Sequence, residues 1–493
     1  MIITRKSAKN IAGKKMQHTR NKEVLLMPKY NAVTDSVRKE LQEIVGAKYV
    51  LSDAERMEPY SHDEVTDPKY VKLPEVVVFP ENAKEIAAIV TLANREMIPI
   101  VPRGAGTGLA SGAVPFKGGI VVSLERMNKI LEIDTETMFM VVEPGVTTAE
   151  VQKAANERGF LYAGDPCSGD SSFIGGNVAT NAGGNKAIRY GTTRQQVNGV
   201  ELVTPEGDIV TFGGKCKKDA TGYSLLNLVI GSEGTLGIIT KAYLKLVALP
   251  ENAMDLLAVF PDLKSAIDIV PKINAAGITP TTIEFMDNEA IKTVEVFLSE
   301  KLPHSDKGYY IIVTVEGDNE ETLEDQCGLI DDLCTQNGAL EVLVADPVKI
   351  WKARKAYAEA DRARSLIFSM EDIVVPVNQI PQAVEKIAEL GKKYGNIAIH
   401  CAGHAGDGNI HANILKDHMS EDEWHQKLPA LQGEIYQMVY ELGGKLSGEH
   451  GIGYKRVKLL EEYADPTEIK LMRNIKKAFD PNLIMNPGKV IEV

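Results

Sequence analysis

Glu75-Val-Val-Val-Phe79, a helical stretch opening at Asn82, Ile98-Pro-Ile-Val101 and then Pro102-Arg-Gly-Ala-Gly-Thr-Gly-Leu109 decide how the first half of this chain folds. The first run is apolar and of strand length. Asn82 and Glu85 have the spacing of a helix cap, and Ile86, Ile89, Val90 and Ala93 continue one helical face. Ile98–Val101 reads as the next strand. The unit is therefore βαβ, with parallel strands joined by a right-handed crossover. The loop that follows carries glycines at 104, 106 and 108, which let backbone N–H groups converge on an anion such as pyrophosphate. It departs from the dinucleotide fingerprint at the third glycine, and Pro115 interrupts any helix after it. Nor does a Gly-Lys-Ser/Thr follow, so it is not a P-loop.

Further strand-like runs lie at 119–124, 138–142, 197–203 and 238–246, separated by two more loops of the same kind. Asp165 to Gly184 mixes glycines with Ser, Thr and Asn, and Ile230 to Ile239 leads into a strand. Three such loops in one α+β region, 47–250, favour a cleft for a large polar nucleotide cofactor. Residues 1–46 read as an extension with a helix from Val33 to Val45. The first 28 residues hold seven Lys/Arg and one acidic residue, Glu23. They lack a secretory apolar core and read as a flexible basic arm.

After Pro250 the order becomes strand 254–260, helix 262–276, strands 281–286 and 309–316, helix 320–337 and strand 340–345. That βαββαβ order is ferredoxin-like. A second domain is thus expected over 251–450. It also contains His400-Cys-Ala-Gly-His404-Ala-Gly-Asp-Gly-Asn-Ile-His411, and Gly448-Glu449-His450-Gly451 follows. Asp407-Gly408 between apolar runs predicts a hairpin with a two-residue type I′ turn. Counting outward, Gly406 faces Asn409, Ala405 faces Ile410 and His404 faces His411. Opposed residues share a face with Cβ atoms roughly 5 Å apart. His404, His411 and Glu449 then form a candidate three-ligand ion site with an open position. Two imidazoles and a carboxylate suit zinc, manganese, cobalt or iron(II). His400 shares that strand face and is assigned to packing. A long helix, 421–442, ends at Gly443-Gly444.

The chain has 493 residues, 44% hydrophobic and 25% charged, with a net charge of −13. That balance argues against nonspecific nucleic-acid binding. No apolar run reaches the roughly 18 residues of a membrane span. Five scattered cysteines without a CxxC pair argue against a disulfide framework and against cysteine-held iron–sulfur clusters.

From about residue 55 onward the sequence resembles the flavin-linked D-2-hydroxyacid dehydrogenases, which include D-lactate dehydrogenases and the flavin subunit of glycolate oxidase. The motifs that carry the likeness are PRGAGTG at 102–108, IGGNVATNAGG at 174–184, GSEGTLGIIT at 231–240, HAGDGNIH at 404–411, GEHGIG at 448–453 and NPGK at 486–489. The resemblance implies a two-part FAD-binding domain of the vanillyl-alcohol-oxidase type under a ferredoxin-like cap, with 451–493 returning to the FAD domain. It implies FAD contacts by Arg103, Gly104, Ala105, Gly106, Thr107 and Gly108, by Gly176, Asn177, Thr180, Gly183 and Gly184, by Gly234, Ile238 and Ile239, and by Asn486 and Lys489. No His lies in the three loops, and His62 is the nearest upstream, so FAD is expected to be non-covalent. The likeness makes His404, His411 and Glu449 ligands of a zinc-like divalent ion, His450 the base and Arg354 the clamp on the substrate carboxylate. Where some relatives have a Lys for a longer diacid, this chain has Ser369-Met-Glu-Asp372.

Oxidising a 2-hydroxyacid removes a proton from oxygen and a hydride from carbon, and these residue types suit both events. The expectation is FAD-dependent oxidation of a D-2-hydroxyacid, D-lactate first. Electrons would pass to a partner such as an electron-transferring flavoprotein in a cytoplasmic complex. Glycolate or D-2-hydroxyglutarate with a quinone or iron–sulfur partner is the alternative. A non-catalytic flavin relay subunit, a transferase on the same flavin fold and a nucleotide-sugar reductase are readings of other classes. The His hairpin argues against the relay subunit and has no purpose in the reductase.

Overall fold

A computed structural model describes residues 29–493; the basic arm at 1–28 lies outside the described residues. The first sheet has four strands in the order Val50–Leu51, Val76–Val78, Ile120–Ser123 and Ile100–Arg103. The last three are parallel. Strand Ile120–Ser123 lies between the two strands of the βαβ unit, which are parallel but not adjacent. Val76, Val77 and Val78 are all buried, because helices Asp35–Val45 and Ala83–Glu96 cover one face and Leu51, Met57 and Phe79 fill the other. Burial on both sides explains why the run is apolar throughout rather than alternating. Asn82 caps helix Ala83–Glu96 by accepting from the N–H groups of Lys84 and Glu85.

A five-stranded antiparallel sheet follows, in the order Ile130–Asp134, Phe139–Val142, Ile238–Lys245, Val197–Val203 and Ile209–Gly213. Its two outer strands are largely solvated, so their sequences carry no apolar run to announce them. Helix Ile174–Thr180, inside the second glycine-rich loop, packs Ile174 and Val178 into this layer's core.

Residues 252–415 build a seven-stranded antiparallel sheet. Its order is Glu341–Val344, Asn252–Phe260, Tyr309–Gly317, Thr282–Met286, Ile399–His404, Asn409–Leu415 and Phe368–Val374. Taken by sequence, the first four strands stand as 4-1-3-2, the ferredoxin-like order. The expected helix at 262–276 is two helices, Leu263–Ile267 and Ile269–Ala275, meeting at Asp268. Helices Asn288–Leu298, Pro347–Lys355, Tyr357–Arg364 and Ile380–Lys393 and strand Phe368–Val374 are additions to the expected list.

The hairpin register differs from the expectation by two residues. His404 faces Asn409, Gly403 faces Ile410 and Ala402 faces His411. The loop is four residues long, because the His404 carbonyl accepts from both Asp407 N–H (3.3 Å) and Gly408 N–H (3.1 Å). Gly408 has φ of 88°, and a Cβ there would lie 2.0 Å from the Val375 carbonyl oxygen. Side chains alternate with a period of two, so an even shift leaves both imidazoles on one face. They become diagonal neighbours, with ring centroids 5.4 Å apart.

The chain then returns to the first sheet. Ile100 N–H donates to Ile484 O (2.8 Å) and Asn486 N–H to Ile100 O (2.7 Å). Ile484 and Met485 join the core beneath that sheet.

Candidate functional site

One cleft is lined by all three glycine-rich loops: 102–113, residues within 166–183, and Glu233, Gly234 and Gly237–Ile239. Glu449 and His450 close one end of it. Of the residues expected to hold the cofactor, Arg103, Gly104, Ala105, Gly106, Thr107, Gly108, Gly176, Asn177, Thr180, Gly183, Gly234, Ile238 and Ile239 line the cleft. Nothing lies within 4 Å of a Cβ built on Gly176, so a side chain there would occupy the cleft itself. The backbone is bare where a large polar group would lie against it, as a nucleotide cofactor requires.

Arg103 lines the cleft and also ties the first loop to the segment before it. Its guanidinium donates to the carbonyls of His62 (2.8 Å) and Pro59 (2.9 Å). A Cβ on Gly106 would lie 2.1 Å from its Nη2, so the loop folds over the arginine and requires glycine there. Gly184, Asn486 and Lys489 are not among the lining residues. Asn486 Nδ2 donates to the carbonyls of Gly112 (3.0 Å) and Glu233 (2.8 Å), and Lys489 Nζ to Val114 O (2.7 Å). They brace the first and third loops from behind. Burial pushes the Lys489 ammonium down to about 7. The His62 ring is partly exposed and does not line the cleft.

The cluster at the end of the cleft combines three segments. The hairpin supplies His404 and His411, strand Phe368–Val374 supplies Asp372, and the loop after helix Glu421–Glu441 supplies Glu449 and His450. Ligand atoms of His404, His411 and Glu449 lie within 4.8 Å of one another, and so do those of Asp372, His411 and His450. Glu449 Oε1 is 2.9 Å from His411 Nε2 and 3.4 Å from His404 Nε2. His411 Nε2 is buried without a hydrogen-bond partner in acceptable geometry. Three donors converging on one point, one of them unsatisfied, fit a divalent ion of zinc-like preference. Burial opposes ionisation of Glu449, yet His404 and His411 hold its carboxyl well below the usual range. Burial likewise disfavours a charged His404, but Glu284 and Glu449 outweigh it and push the imidazole up.

Asp372 anchors the 447–450 loop. Its Oδ2 accepts from Ser447 Oγ (2.5 Å), Glu449 N–H (3.0 Å) and His450 N–H (2.7 Å), and its Oδ1 from Asn409 Nδ2 (2.7 Å). His450 stacks on His411, ring centroids 4.9 Å apart, and its Nδ1 has no hydrogen-bond partner among the described residues. Burial lowers the His450 imidazole to about 4, the Asp372 carboxylate offsetting only part of the shift. The ring is neutral at neutral pH.

Glu233 was invisible in the sequence and joins the cleft to this loop. Its buried carboxylate accepts from Ile452 N–H and Gly453 N–H, both at 2.7 Å. Arg354 is buried and set against Glu284, which also holds His404 Nδ1. It stands beside the cluster without lining the cleft. Met370 faces Asn413 across the ladder and shares the face of Asp372 and His411. Its side chain packs with Phe368, Leu415 and Leu109 of the first loop. His400 turns to Asp361 (2.6 Å) and stays out of the ion cluster.

Residues 74–213 match the FAD binding domain and residues 249–490 the C-terminal domain of FAD linked oxidases. A D-lactate dehydrogenase of Anaerostipes hadrus is 38% identical, covering 94% of this chain and 98% of that one. Glycolate oxidase subunit GlcD of Bacillus subtilis is 38% identical, covering 93% and 97%. A D-2-hydroxyglutarate dehydrogenase of Stutzerimonas stutzeri is 36% identical, covering 92% and 98%. Among solved structures, p-cresol methylhydroxylase with substrate bound superposes with a TM-score of 0.78 at 18% identity, over 92% of this chain and 96% of that one. That likeness shows the fold, the vanillyl-alcohol-oxidase type. Among the described residues no helix is long and apolar enough to cross a membrane.

Proposed function

The chain belongs to the FAD-linked oxidoreductases of the D-lactate, glycolate and D-2-hydroxyglutarate dehydrogenase type, and from that premise we propose that it oxidises a short monocarboxylic D-2-hydroxyacid, D-lactate first. The observation that carries the proposal is the meeting of the ion cluster with the glycine-lined cleft at Glu449 and His450. Bound FAD supplies the hydride acceptor. A divalent ion held by His404, His411 and Glu449 would favour the alkoxide form of the substrate oxygen.

The chain's own residues do the rest. His450, neutral and with Nδ1 unpartnered, takes the hydroxyl proton. Arg354 binds the substrate carboxylate and orients the Cα–H. Met370 packs with Phe368 and Leu109 on the strand face it shares with Asp372 and His411. A second carboxylate would have to be desolvated against these apolar side chains, which favours lactate over a five-carbon diacid.

FAD is held without a covalent bond, since none of the three loops contains a His. Electrons leave to a partner protein, an electron-transferring flavoprotein first, in a cytoplasmic complex; no iron–sulfur ligand set is written in the sequence.

Anaerobic mixing tests the reading. D-lactate should bleach the flavin absorbance, and L-lactate should not. Faster bleaching by D-2-hydroxyglutarate or glycolate would displace D-lactate, and no bleaching by any of the three would remove the activity altogether.

A further inference from the structure

We propose that Glu284 is a positioning residue that ties the ion-binding end of the site to the carboxylate-binding end. The proposal rests on the oxidation reading above and names a residue that reading does not use.

Glu284 lies on strand Thr282–Met286 and faces His404 across the ladder. It is fully buried. Its two oxygens have separate tasks. Oε1 accepts from His404 Nδ1 at 2.6 Å. Oε2 accepts from Arg354 Nε at 3.0 Å and stands 2.8 Å from Nη2.

The first contact sets a tautomer. With its proton on Nδ1, the His404 ring presents the Nε2 lone pair toward His411 and Glu449, and an anionic acceptor behind it makes that nitrogen more basic. The second contact aims a cation. Arg354 donates to Glu284 from Nε, which leaves the Nη1/Nη2 edge for another planar anion. Arg354 Nη2 is buried with no hydrogen bond of acceptable geometry. An incoming carboxylate would satisfy it.

One carboxylate therefore fixes two side chains that come from the hairpin and from helix Pro347–Lys355. A pair of apolar residues would fill this space at less cost in desolvation. Position explains the choice better than stability: the two partners of Glu284 are the groups that would hold the two ends of a 2-hydroxyacid.

Glu284→Gln breaks the arrangement. An amide offers one acceptor and one donor, so its NH2 either opposes the Arg354 N–H or faces His404 Nδ1, where it moves the imidazole proton to Nε2 and blocks that lone pair. We expect the dissociation constant for zinc, measured by competition with a chelator, to rise about 10–100-fold. The dissociation constant for pyruvate, read from perturbation of the flavin spectrum, should rise about tenfold, the equivalent of one lost hydrogen bond. KM for D-lactate should rise by more than kcat falls. Glu284→Asp keeps the buried charge and so protects the fold; it should move both constants in the same direction by less. The idea is overturned if either variant keeps both constants at wild-type values, or if one constant moves alone. The underlying reading fails separately, in the wild type, if the protein retains no divalent ion or no D-2-hydroxyacid reduces its flavin.

Discussion

At the scale of single residues, His450 is the sharpest test of the chemistry. As general base it should be needed for flavin reduction and not for substrate binding. His450→Ala should bind pyruvate with near wild-type affinity and reduce its flavin roughly 10²–10⁴-fold more slowly in stopped flow. A wild-type rate in that variant would place the base elsewhere. His404, His411 and His450 could be singled out in the sequence because imidazoles are scarce, and Glu449 because it adjoins one. Glu284, Asp372 and Glu233 could not. Glu284 bonds to His404, 120 residues away, and Glu233 to Gly453, 220 residues away. A carboxylate among 68 acidic residues carries no mark of such a partner. Arg103 is half legible for a related reason. Its place beside a phosphate-type loop is visible, but the two carbonyls that take its guanidinium come from 59–62.

At the scale of elements, strands buried on both faces were legible as apolar runs, and half-solvated ones were not. Ile130–Asp134, with its mixed exposure, was missed, whereas Val76–Val78 was plain. Strand Phe368–Val374 was overlooked because Ser369, Glu371 and Asp372 look like loop residues until their buried partners are seen. The hairpin shows the limit of turn rules. The Asp-Gly signal located the reversal, but carbonyl acceptance by His404 set its length.

Helix Asn288–Leu298 offers a test at this scale. Asp287 caps it, accepting from Ala290 N–H (2.8 Å), and also accepts from Cys401 N–H in the hairpin strand (2.7 Å). Burial pushes its carboxyl up from 3.8 to about 6, against the lowering effect of those hydrogen bonds. A folded pKa above the unfolded one means that the folded protein binds the extra proton between those values. The stabilising contribution is complete below about pH 4 and is lost as pH rises through about 6. Asp287→Asn should therefore gain on the wild type as pH rises from 4 to 7, by up to about 3 kcal/mol. Urea titrations at several pH values measure it, and a difference that stays constant with pH would disprove the assignment.

At the scale of the whole molecule, the cleft is a joint product of distant segments. Its walls come from three loops within 102–239, its end from Glu449 and His450, and its bracing from Asn486 and Lys489. The proposed non-covalent hold on FAD is tested at this scale. Acid precipitation should release FAD quantitatively to the supernatant, identified as FAD by chromatography; yellow colour remaining in the pellet would mean a covalent bond and would overturn the reading. The fold type was legible because six motifs fall in order along the chain, while the crossing of segments was legible only as a resemblance.

The return of residues 484–490 to the first sheet also fixes a timetable. Strand Ile100–Arg103 leaves the ribosome early, yet the partners of Ile100 on one side are Ile484 and Asn486. The supports of the Gly112 and Val114 carbonyls arrive as late. A nascent chain of 450 residues holds all three glycine-rich loops but lacks the donors that reach the Gly112, Val114 and Glu233 carbonyls. A message truncated shortly before codon 484 should therefore yield a product that holds FAD weakly, read as loss of flavin absorbance on purification.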